Sequence, residues 1–262
     1  MLGLPRALMD RMPALEIIAV NGIGTDAVDL DEARRRGVRV TTTPDVLTDD
    51  VADLAMALLL AAFRRLCESD RFVRAGRWPS AGLPVARRVT GKRLGILGLG
   101  RIGRAIARRA EAFAMPVSYT DLRAVEGVSY RFVADLVDLA RDVDALVVAA
   151  SGGAGSKHLV NATVLNALGS EGVLIKVARG SVVDEAALVA ALVGRSIGRG
   201  RARRVYQRTK CALGAMEHGA GCFAAASCQC DIRDPRRHGR FVSCEPGCSY
   251  RRPSPAGRGG MT

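Results

Sequence analysis

The sequence has no apolar run long enough to cross a bilayer. Its longest one, at residues 54–63, is ten residues long, whereas a membrane-spanning helix needs about 20. The first 13 residues contain no apolar core of the length found in signal peptides. We therefore expect no membrane partner and no secretion signal.

Cysteine and histidine are scarce in the first three quarters of the chain. Cys67 is the only cysteine among residues 1–194, and His158 is the only histidine there. One cysteine cannot form a disulfide framework and is typical of a reducing compartment, so we predict a cytoplasmic protein. We predict His158 to be a surface residue on a loop rather than a catalyst.

The tail, residues 195–262, lacks the apolar side chains that a core requires. Leu, Ile, Val and Phe supply only 7 of its 68 residues, whereas it contains 13 Arg and one Lys against two Asp and two Glu. The tail therefore carries +10 of the formal net charge of +13, and it also holds six of the seven cysteines. Because such a composition is typical of disordered segments, we predict that the tail is disordered.

Residues 15–193, in contrast, alternate short apolar runs with helical patterns. This alternation predicts βαβ units and an α/β fold around a doubly wound parallel sheet of the Rossmann type. Strands are predicted at residues 15–20, 38–42, 93–97, 116–120, 145–150 and 173–177. Helices are predicted at residues 29–36, 48–74, 102–113, 136–140, 161–168 and 184–193, with Thr48 capping the long one.

Glycine and proline residues between positions 76 and 84 end the long predicted helix. We place a domain boundary there, near residue 85. A partial flavodoxin-like substrate domain is predicted before it, at residues 1–85. An incomplete dinucleotide-binding domain is predicted after it, at residues 86–194.

A glycine-rich loop lies between the strand predicted at 93–97 and the helix that follows. Its sequence is Gly98-Leu99-Gly100-Arg101-Ile102-Gly103. In this strand–turn–helix context Gly98 permits the tight turn, Gly100 lets the backbone approach a pyrophosphate, and Gly103 permits close helix packing. The helix N-terminus adds N–H donors and partial positive charge. We therefore predict that the 98–103 loop binds a dinucleotide.

Two residues give conflicting indications about the coenzyme. Asp121 lies at the end of the next predicted strand, where a carboxylate can bind both ribose hydroxyls of NAD. Arg123 can hold the additional phosphate of NADP, or it can be a solvated surface charge. The cofactor is therefore NADP or NAD, and Leu122 is included in the predicted site.

The carboxyl ends of two further predicted strands supply the remaining candidates. Ser151 follows the strand at 145–150, and Val177, Ala178 and Arg179 lie at the end of the strand at 173–177. Since α/β sheets bind ligands at this edge, we assign these residues to the cofactor site. The Arg179 guanidinium can also clamp a carboxylate through two hydrogen bonds and polarise a neighbouring carbonyl, although an Arg after a strand is more often structural.

Several segments together resemble the D-isomer-specific 2-hydroxyacid dehydrogenases, in particular the glyoxylate/hydroxypyruvate reductases. They are Ala19-Val20-Asn21-Gly22-Ile23-Gly24-Thr25-Asp26, Thr43-Pro44, Val51-Ala52-Asp53, the 98–103 loop, and Ala178-Arg179-Gly180-Ser181-Val182-Val183-Asp184-Glu185. The match runs from about residue 15 to residue 193 and is specific in order and spacing. It implies an NADPH- or NADH-dependent reductase of a small 2-oxo acid, such as hydroxypyruvate or glyoxylate.

The resemblance also implies roles for individual residues. In this family the Asn-Gly-Ile-Gly turn offers backbone N–H groups to the substrate carboxylate, which gives Asn21, Gly22 and Ile23 a substrate-binding role. Arg179 is given the catalytic role of orienting the substrate. The family forms homodimers, and the implied contacts are the helix predicted at 48–74 and the segment after it.

Three departures from the family pattern affect these expectations. The family has a further strand and helix before the position of Met1, and it usually has Asn at the position of Lys176. A Glu and a His should also follow residue 193, and the Glu raises the pKa of the His that protonates the carbonyl oxygen. Because neither motif is visible in the tail, we expect little or no turnover from the chain as written.

A one-base shift of the reading frame accounts for the missing motifs. Codons for residues 202–213, read one base later, permit Leu-Asp-Val-Tyr-Thr-Asn-Glu-Pro-Asn-Val-Pro, which resembles the family's glutamate-bearing segment. The same shift over residues 221–239 permits a segment that resembles the histidine-bearing one. We therefore predict a slip near Ile197 and an out-of-frame tail.

Two other interpretations of the tail remain open. Its cysteines and His238 are residue types that bind zinc, but no C-x-x-C pair is present. Its arginines can bind phosphate, but few aromatic side chains lie among them for base stacking. The alternative function is therefore a non-catalytic dinucleotide-binding remnant or a basic nucleic-acid-binding protein. We expect neither a metal site nor a specific nucleic-acid partner.

Overall fold

The computed structural model describes residues 4–193 and 204–207, which belong to one compact unit. The chain begins with a short helix, α1 (Arg6–Met9), followed by a β-α-β unit. The parts of this unit are β1 (Ile17–Ala19), α2 (Leu30–Arg35) and β2 (Arg39–Thr41). The two strands pair in parallel, and Met9, Ile18, Ala33 and Val38 form a small core with them. Strands β1 and β2 form the first sheet, and the turn that follows β1 lies at the edge of this sheet.

A second sheet contains six parallel strands. They are β3 (Leu94–Leu97), β4 (Val117–Thr120), β5 (Arg131–Phe132), β6 (Ala145–Val148), β7 (Val173–Lys176) and β8 (Arg204–Gln207). Their order in the sheet is β5-β4-β3-β6-β7-β8. The chain therefore runs outward from β3 on one side and from β6 on the other, and ligands bind at such a reversal of strand order. The predicted α/β Rossmann fold is confirmed.

Six helices accompany this sheet. They are α3 (Thr48–Arg64), α4 (Leu66–Arg74), α5 (Arg101–Glu111), α6 (Leu136–Asp142), α7 (Ala162–Leu168) and α8 (Glu185–Val193). Every residue of β3, β6 and β7 is buried, as expected for parallel strands covered on both faces. The buried side chains of α3 and α5 pack on one face, and those of α6, α7 and α8 pack on the other. The domain boundary near residue 85 stays a prediction, with α3 sharing the core of the six-stranded sheet.

The single helix predicted at residues 48–74 is wrong. Two helices, α3 and α4, meet at Arg65, whose backbone is left-handed with φ 56°. The Arg65 Nε donates to the Glu68 carboxylate at 2.6 Å, which stabilises the turn. Eight residues of α3 are buried but none of α4 is, so the break directs α4 away from the core. Thr48 is the first helical residue rather than the cap, because Leu47 occupies the N-cap position.

Two strands were not predicted from the sequence. Strand β5 has only two residues, too few to show a pattern. Strand β8 lies within the tail, and it pairs in parallel with β7 so that Val205 is opposite Leu174. The remaining tail predictions, including the zinc-ligand types and the shifted glutamate and histidine positions, lie outside the described residues. In the described part of the chain, no helix is both long and apolar enough to cross a membrane.

Candidate functional site

The 98–103 loop is fixed by close backbone packing. Gly98 has φ +91°, and a Cβ on it would lie 2.6 Å from the Ala150 Cα, just after β6. A Cβ on Gly103 would lie 2.2 Å from the Gly98 carbonyl oxygen. Because neither position has room for a side chain, the loop, the first turn of α5 and the end of β6 approach each other closely.

Gly100 differs from these two glycines, because a Cβ on it would meet no atom within 4 Å. Gly100 is also the N-cap residue of α5, and no side chain caps this helix. The first N–H groups of α5 therefore have no acceptor from the cap. Open space next to a helix N-terminus fits the pyrophosphate of a dinucleotide.

Asp121 follows β4 and contacts the 98–103 loop directly. Its Oδ2 accepts the N–H of Leu99 at 2.8 Å, and its Oδ1 accepts the N–H of Leu122 at 2.8 Å. Each carboxylate oxygen can accept a second hydrogen bond, so Asp121 can hold the loop and bind ribose hydroxyls together. The Leu122 and Arg123 side chains are exposed. Within the described residues the Arg123 side chain has no ion pair, which leaves it available to a phosphate.

Arg179 follows β7 and reaches the loop that extends from the first sheet. Its Nε donates to the Asp26 Oδ2 at 2.6 Å. Asp26 lies two residues after the turn at residues 21–24, so this ion pair joins the segment that follows the turn to the end of β7. The Arg179 side chain is 31% exposed and that of Asp26 is 37% exposed. The pair is therefore within reach of a ligand from solvent.

Two glycines make room for the Asp26–Arg179 pair. A Cβ on Gly24 would lie 1.7 Å from the Arg179 Nη2. A Cβ on Gly152 would lie 2.6 Å from the Asp26 Oδ1 and 2.8 Å from the Arg179 Cγ. The loops after β1, β6 and β7 therefore converge on one charged pair. Ser151, which is exposed, directly precedes Gly152 in the loop after β6.

The 21–24 turn is shaped by two hydrogen bonds to Thr43, which follows β2. The N–H of Gly22 donates to the Thr43 Oγ at 2.9 Å, and the N–H of Thr43 donates to the Gly22 carbonyl at 2.9 Å. Gly22 has φ +128°, which favours glycine. In the described residues the N–H of Ile23 has no acceptor. The turn therefore leaves Ile23 able to donate to a carboxylate, whereas Gly22 already has a partner.

The other predicted residues at this strand end, Val177 and Ala178, directly precede Arg179. Val177 and Ala178 are buried, and their N–H groups both donate to the Val148 carbonyl at 3.1 Å, which fixes the backbone before Arg179. Lys176 is also buried, at 3% exposure. His158 is exposed, so its prediction as a surface residue is confirmed.

The roles of Asp26, Thr43 and Gly152 were not predicted from the sequence. Asp26 and Thr43 lie in segments that carried the family resemblance, and an acid or hydroxyl beside a glycine-rich turn is a usable signal for such roles. Gly152 gave no signal of its own, because its importance depends on side chains that are distant in sequence. Among residues 4–193 and 204–207, no group of His, Cys, Asp and Glu is arranged to hold a metal ion.

Comparison with known proteins gives a consistent result. Residues 56–200 match the model of the D-isomer specific 2-hydroxyacid dehydrogenase, NAD binding domain. A 2-ketogluconate reductase from Gluconobacter oxydans is 49% identical over 195 residues, which cover 74% of this chain and 63% of that protein. Glyoxylate/hydroxypyruvate reductase A from Arabidopsis thaliana is 45% identical over 206 residues, which cover 79% of this chain and 66% of that protein. The chain thus spans slightly less than two thirds of the length of these curated relatives.

Solved structures show the same similarity. An NADPH-dependent glyoxylate/hydroxypyruvate reductase from Sinorhizobium meliloti, in complex with NADP and malonate, has a TM-score of 0.78 and 41% identity. The similar region covers 85% of this chain and 70% of that one. The family model covers more than half of the chain, and each of these relatives is more than 40% identical to it. The chain therefore belongs to the D-isomer specific 2-hydroxyacid dehydrogenases.

Proposed function

We propose that the parent activity of this chain is reduction of a small 2-oxo acid of the glyoxylate or hydroxypyruvate class by NADPH or NADH. The observation that carries the proposal is the Asp26–Arg179 ion pair. It brings Arg179, at the end of β7, close to the 21–24 turn of the first sheet. Strand β7 belongs to the same six-stranded sheet as β3, which the 98–103 loop follows. The names of the relatives from Arabidopsis and Sinorhizobium support this substrate class.

In this proposal, different residues of the chain bind the coenzyme and the substrate. A nicotinamide coenzyme, when bound, supplies the hydride that reduces the carbonyl carbon. The N-terminus of α5 and the space at Gly100 hold its pyrophosphate, and Asp121 holds its ribose. Arg179 binds the substrate carboxylate and polarises the carbonyl, while the N–H of Ile23 donates a further hydrogen bond. Together they orient the carbonyl carbon.

The reaction also needs a proton at the carbonyl oxygen. His158 is the only histidine of the described residues, and its exposed position on the loop after β6 gives it no role in our proposal. The glutamate and histidine codons of the shifted frame straddle residues 208–209 and 226–227, outside the described residues. We therefore propose that a one-base slip near Ile197 removed the proton donor, and that the chain as written has little or no turnover.

A comparison of two proteins tests this proposal. The written chain and a version restored to the shifted frame after Ile197 are purified, and hydroxypyruvate-dependent oxidation of NADPH is measured. The restored protein should turn over at least about 100-fold faster, the typical contribution of a general acid. An active written chain beside an inert restored one would disprove the slip, and the nucleotide sequence across residues 196–199 is an independent check. If both bind NADPH but neither turns over, the non-catalytic remnant is the better description.

We also propose that the protein forms a homodimer. Helix α4 has no buried residue, and the exposed apolar residues of this region are Leu66, Val73, Trp78 and Val85. Such a concentration of exposed apolar side chains is typical of an association surface. Sedimentation should give a dimer, and Val73→Glu should shift it toward the monomer.

A cytoplasmic location completes the proposal, with the small number of cysteines before the tail as its support.

A further inference from the structure

We propose that Asp26 is a positioning residue that determines which edge of the Arg179 guanidinium is offered to the substrate carboxylate. This inference rests on the proposed function, since it adds a residue to the same site. Its test nevertheless includes a measurement that needs no substrate.

The hydrogen-bond geometry of the pair leaves one edge of the Arg179 guanidinium for a ligand. Arg179 donates its Nε to Asp26 at 2.6 Å, so one edge of the guanidinium is already occupied. The terminal edge, formed by Nη1 and Nη2, is left for a ligand. That edge carries two parallel N–H donors, which match the two oxygens of a carboxylate. Asp26 thus leaves Arg179 in the orientation that a two-point clamp requires.

Among the described residues, Asp26 alone restrains the guanidinium through a hydrogen bond. In the described part of the chain, Asp26 is the only acceptor of an Arg179 side-chain hydrogen bond. The Arg179 side chain is 31% exposed and long enough to adopt several rotamers. Without Asp26 the side chain would therefore sample these rotamers, and binding would have to restrict them again.

The loops around the pair also leave space for its two side chains. Gly24 leaves room for the Arg179 Nη2, and Gly152 leaves room for both the Asp26 Oδ1 and the Arg179 Cγ. Two glycines from loops after different strands therefore fit one arrangement of two side chains. This arrangement is specific to the pair rather than a chance surface contact.

A purely structural role for the pair is less consistent with the rest of the molecule. Another ion pair, between Asp45 and Arg101 at 2.9 Å, already joins the loop after β2 to α5. The Asp26–Arg179 pair is half-exposed, and such pairs contribute little to folding stability. We therefore expect removal of Asp26 to affect substrate affinity more than stability.

The binding test uses Asp26→Ala, Asp26→Asn and the control Asp31→Ala. Asp31 pairs with Arg34 at 2.9 Å on the surface of α2, so its removal makes the same charge change away from the site. Malonate binding is titrated in the presence of NADP, and NADP binding is measured alone. Asp26→Ala should weaken malonate binding about tenfold or more, the effect of losing a charged hydrogen bond. NADP affinity should stay unchanged in all three variants.

The Asp26→Asn variant separates positioning from charge. Its amide oxygen still accepts the Arg179 Nε, so malonate affinity should stay within about threefold of that of the unmodified chain. Equal malonate affinity in Asp26→Ala and the unmodified chain would overturn the proposal. So would equal losses in Asp26→Asn and Asp26→Ala, or a parallel loss of NADP binding and thermal stability.

The second measurement is the rate at which phenylglyoxal labels Arg179, followed by mass spectrometry of the peptide. The hydrogen bond from Nε to Asp26 restrains the guanidinium, so labelling should accelerate several-fold in Asp26→Ala and not in Asp31→Ala. If the unmodified chain binds no malonate, the proposed function fails. The labelling rate then decides by itself whether Asp26 holds Arg179, and an unchanged rate overturns the inference.

Discussion

The site has a dinucleotide half, at the 98–103 loop, and a substrate half, around Arg179. The first is shaped by backbone packing and the second by contacts between charged side chains. In the 98–103 loop, a Cβ on Gly98 or Gly103 would collide with backbone atoms at 2.6 Å and 2.2 Å. Around Arg179, the atoms that a new Cβ would meet belong to the Arg179 and Asp26 side chains instead. Backbone packing cannot yield without moving strands, whereas a half-exposed ion pair can change its rotamers. The dinucleotide half is therefore rigid, and the substrate half is adjustable.

This contrast explains why a new side chain should have different effects in the two halves. At Gly98 or Gly103 in the dinucleotide half, an added methyl group must displace the backbone, so folding and binding should fail together. In the substrate half, the same methyl group displaces side chains, so binding should fail while the fold survives. Alanine substitutions of glycines in the two halves should therefore have different effects on stability.

The largest effect is expected for Gly103→Ala. The added Cβ lies against the Gly98 carbonyl, so the variant should lose about 1–3 kcal/mol of unfolding free energy and bind NADPH much more weakly. Chemical denaturation and NADPH fluorescence titration measure the two quantities. Gly100→Ala is the matched control, since its Cβ meets nothing within 4 Å. It should change stability by less than about 0.5 kcal/mol yet still weaken NADPH binding, because the methyl group fills the proposed phosphate space.

Gly152→Ala tests the adjustable half. Its Cβ would displace Asp26 and Arg179 side-chain atoms, so malonate binding in the presence of NADP should fall about tenfold while unfolding free energy changes little. Gly155→Ala, where a Cβ meets nothing within 4 Å, is the control in the same loop. A large loss of stability in Gly152→Ala alone would show that this half is as rigid as the other.

A smaller effect is expected for Arg123→Ala, which addresses the coenzyme. The Arg123 side chain is exposed, and we expect it to hold the additional phosphate of NADP. Its loss should weaken NADPH binding about three- to tenfold and leave NADH binding unchanged. Equal affinities before and after the substitution would make Arg123 a solvated surface charge.

The smallest effect on binding is expected for Glu32→Gln, which lies away from both halves. Hydrogen bonds from Arg35 and then Arg36 lower the pKa of Glu32 from 4.5 to about 2. Because the folded pKa lies below the unfolded value, the ionised carboxylate stabilises the fold above about pH 4.5. That stabilisation is lost as the pH falls toward about 2. Denaturation at several pH values should show a flatter dependence in Glu32→Gln, with Asp31→Asn as the exposed control.

Much of the fold was predictable because burial in a parallel sheet leaves a strong pattern. The strands β3 and β6 contain no polar side chain, β7 is apolar up to Lys176, and the 98–103 loop has a spacing that few other structures require. The break between α3 and α4 was not predictable, since it depends on a left-handed Arg65 with no glycine or proline to announce it. Strand β8 was missed because its segment has the composition of a disordered chain.

Within the site, too, the features that depend on local backbone were predictable from the sequence, and those that depend on distant contacts were not. Gly98, Gly100 and Gly103 could be assigned from spacing alone, because their roles come from the local backbone. Asp26 could not, since its partner Arg179 is 153 residues away in sequence. The choice between NAD and NADP also stayed open. Asp121 indicates NAD, Arg123 indicates NADP, and the two residues lie close together in the sequence.

By itself, the sequence determined the α/β architecture, the dinucleotide loop and the family, because these depend on apolar periodicity and on short motifs whose geometry is local. Only the tertiary structure decided that Arg179 meets Asp26, that Thr43 engages Gly22, and that Gly152 makes room for the pair. The Asp26–Arg179 contact joins loops from two sheets, and the Thr43–Gly22 contact joins the loops after β1 and β2. Both depend on how distant segments pack, which no local pattern in the chain records.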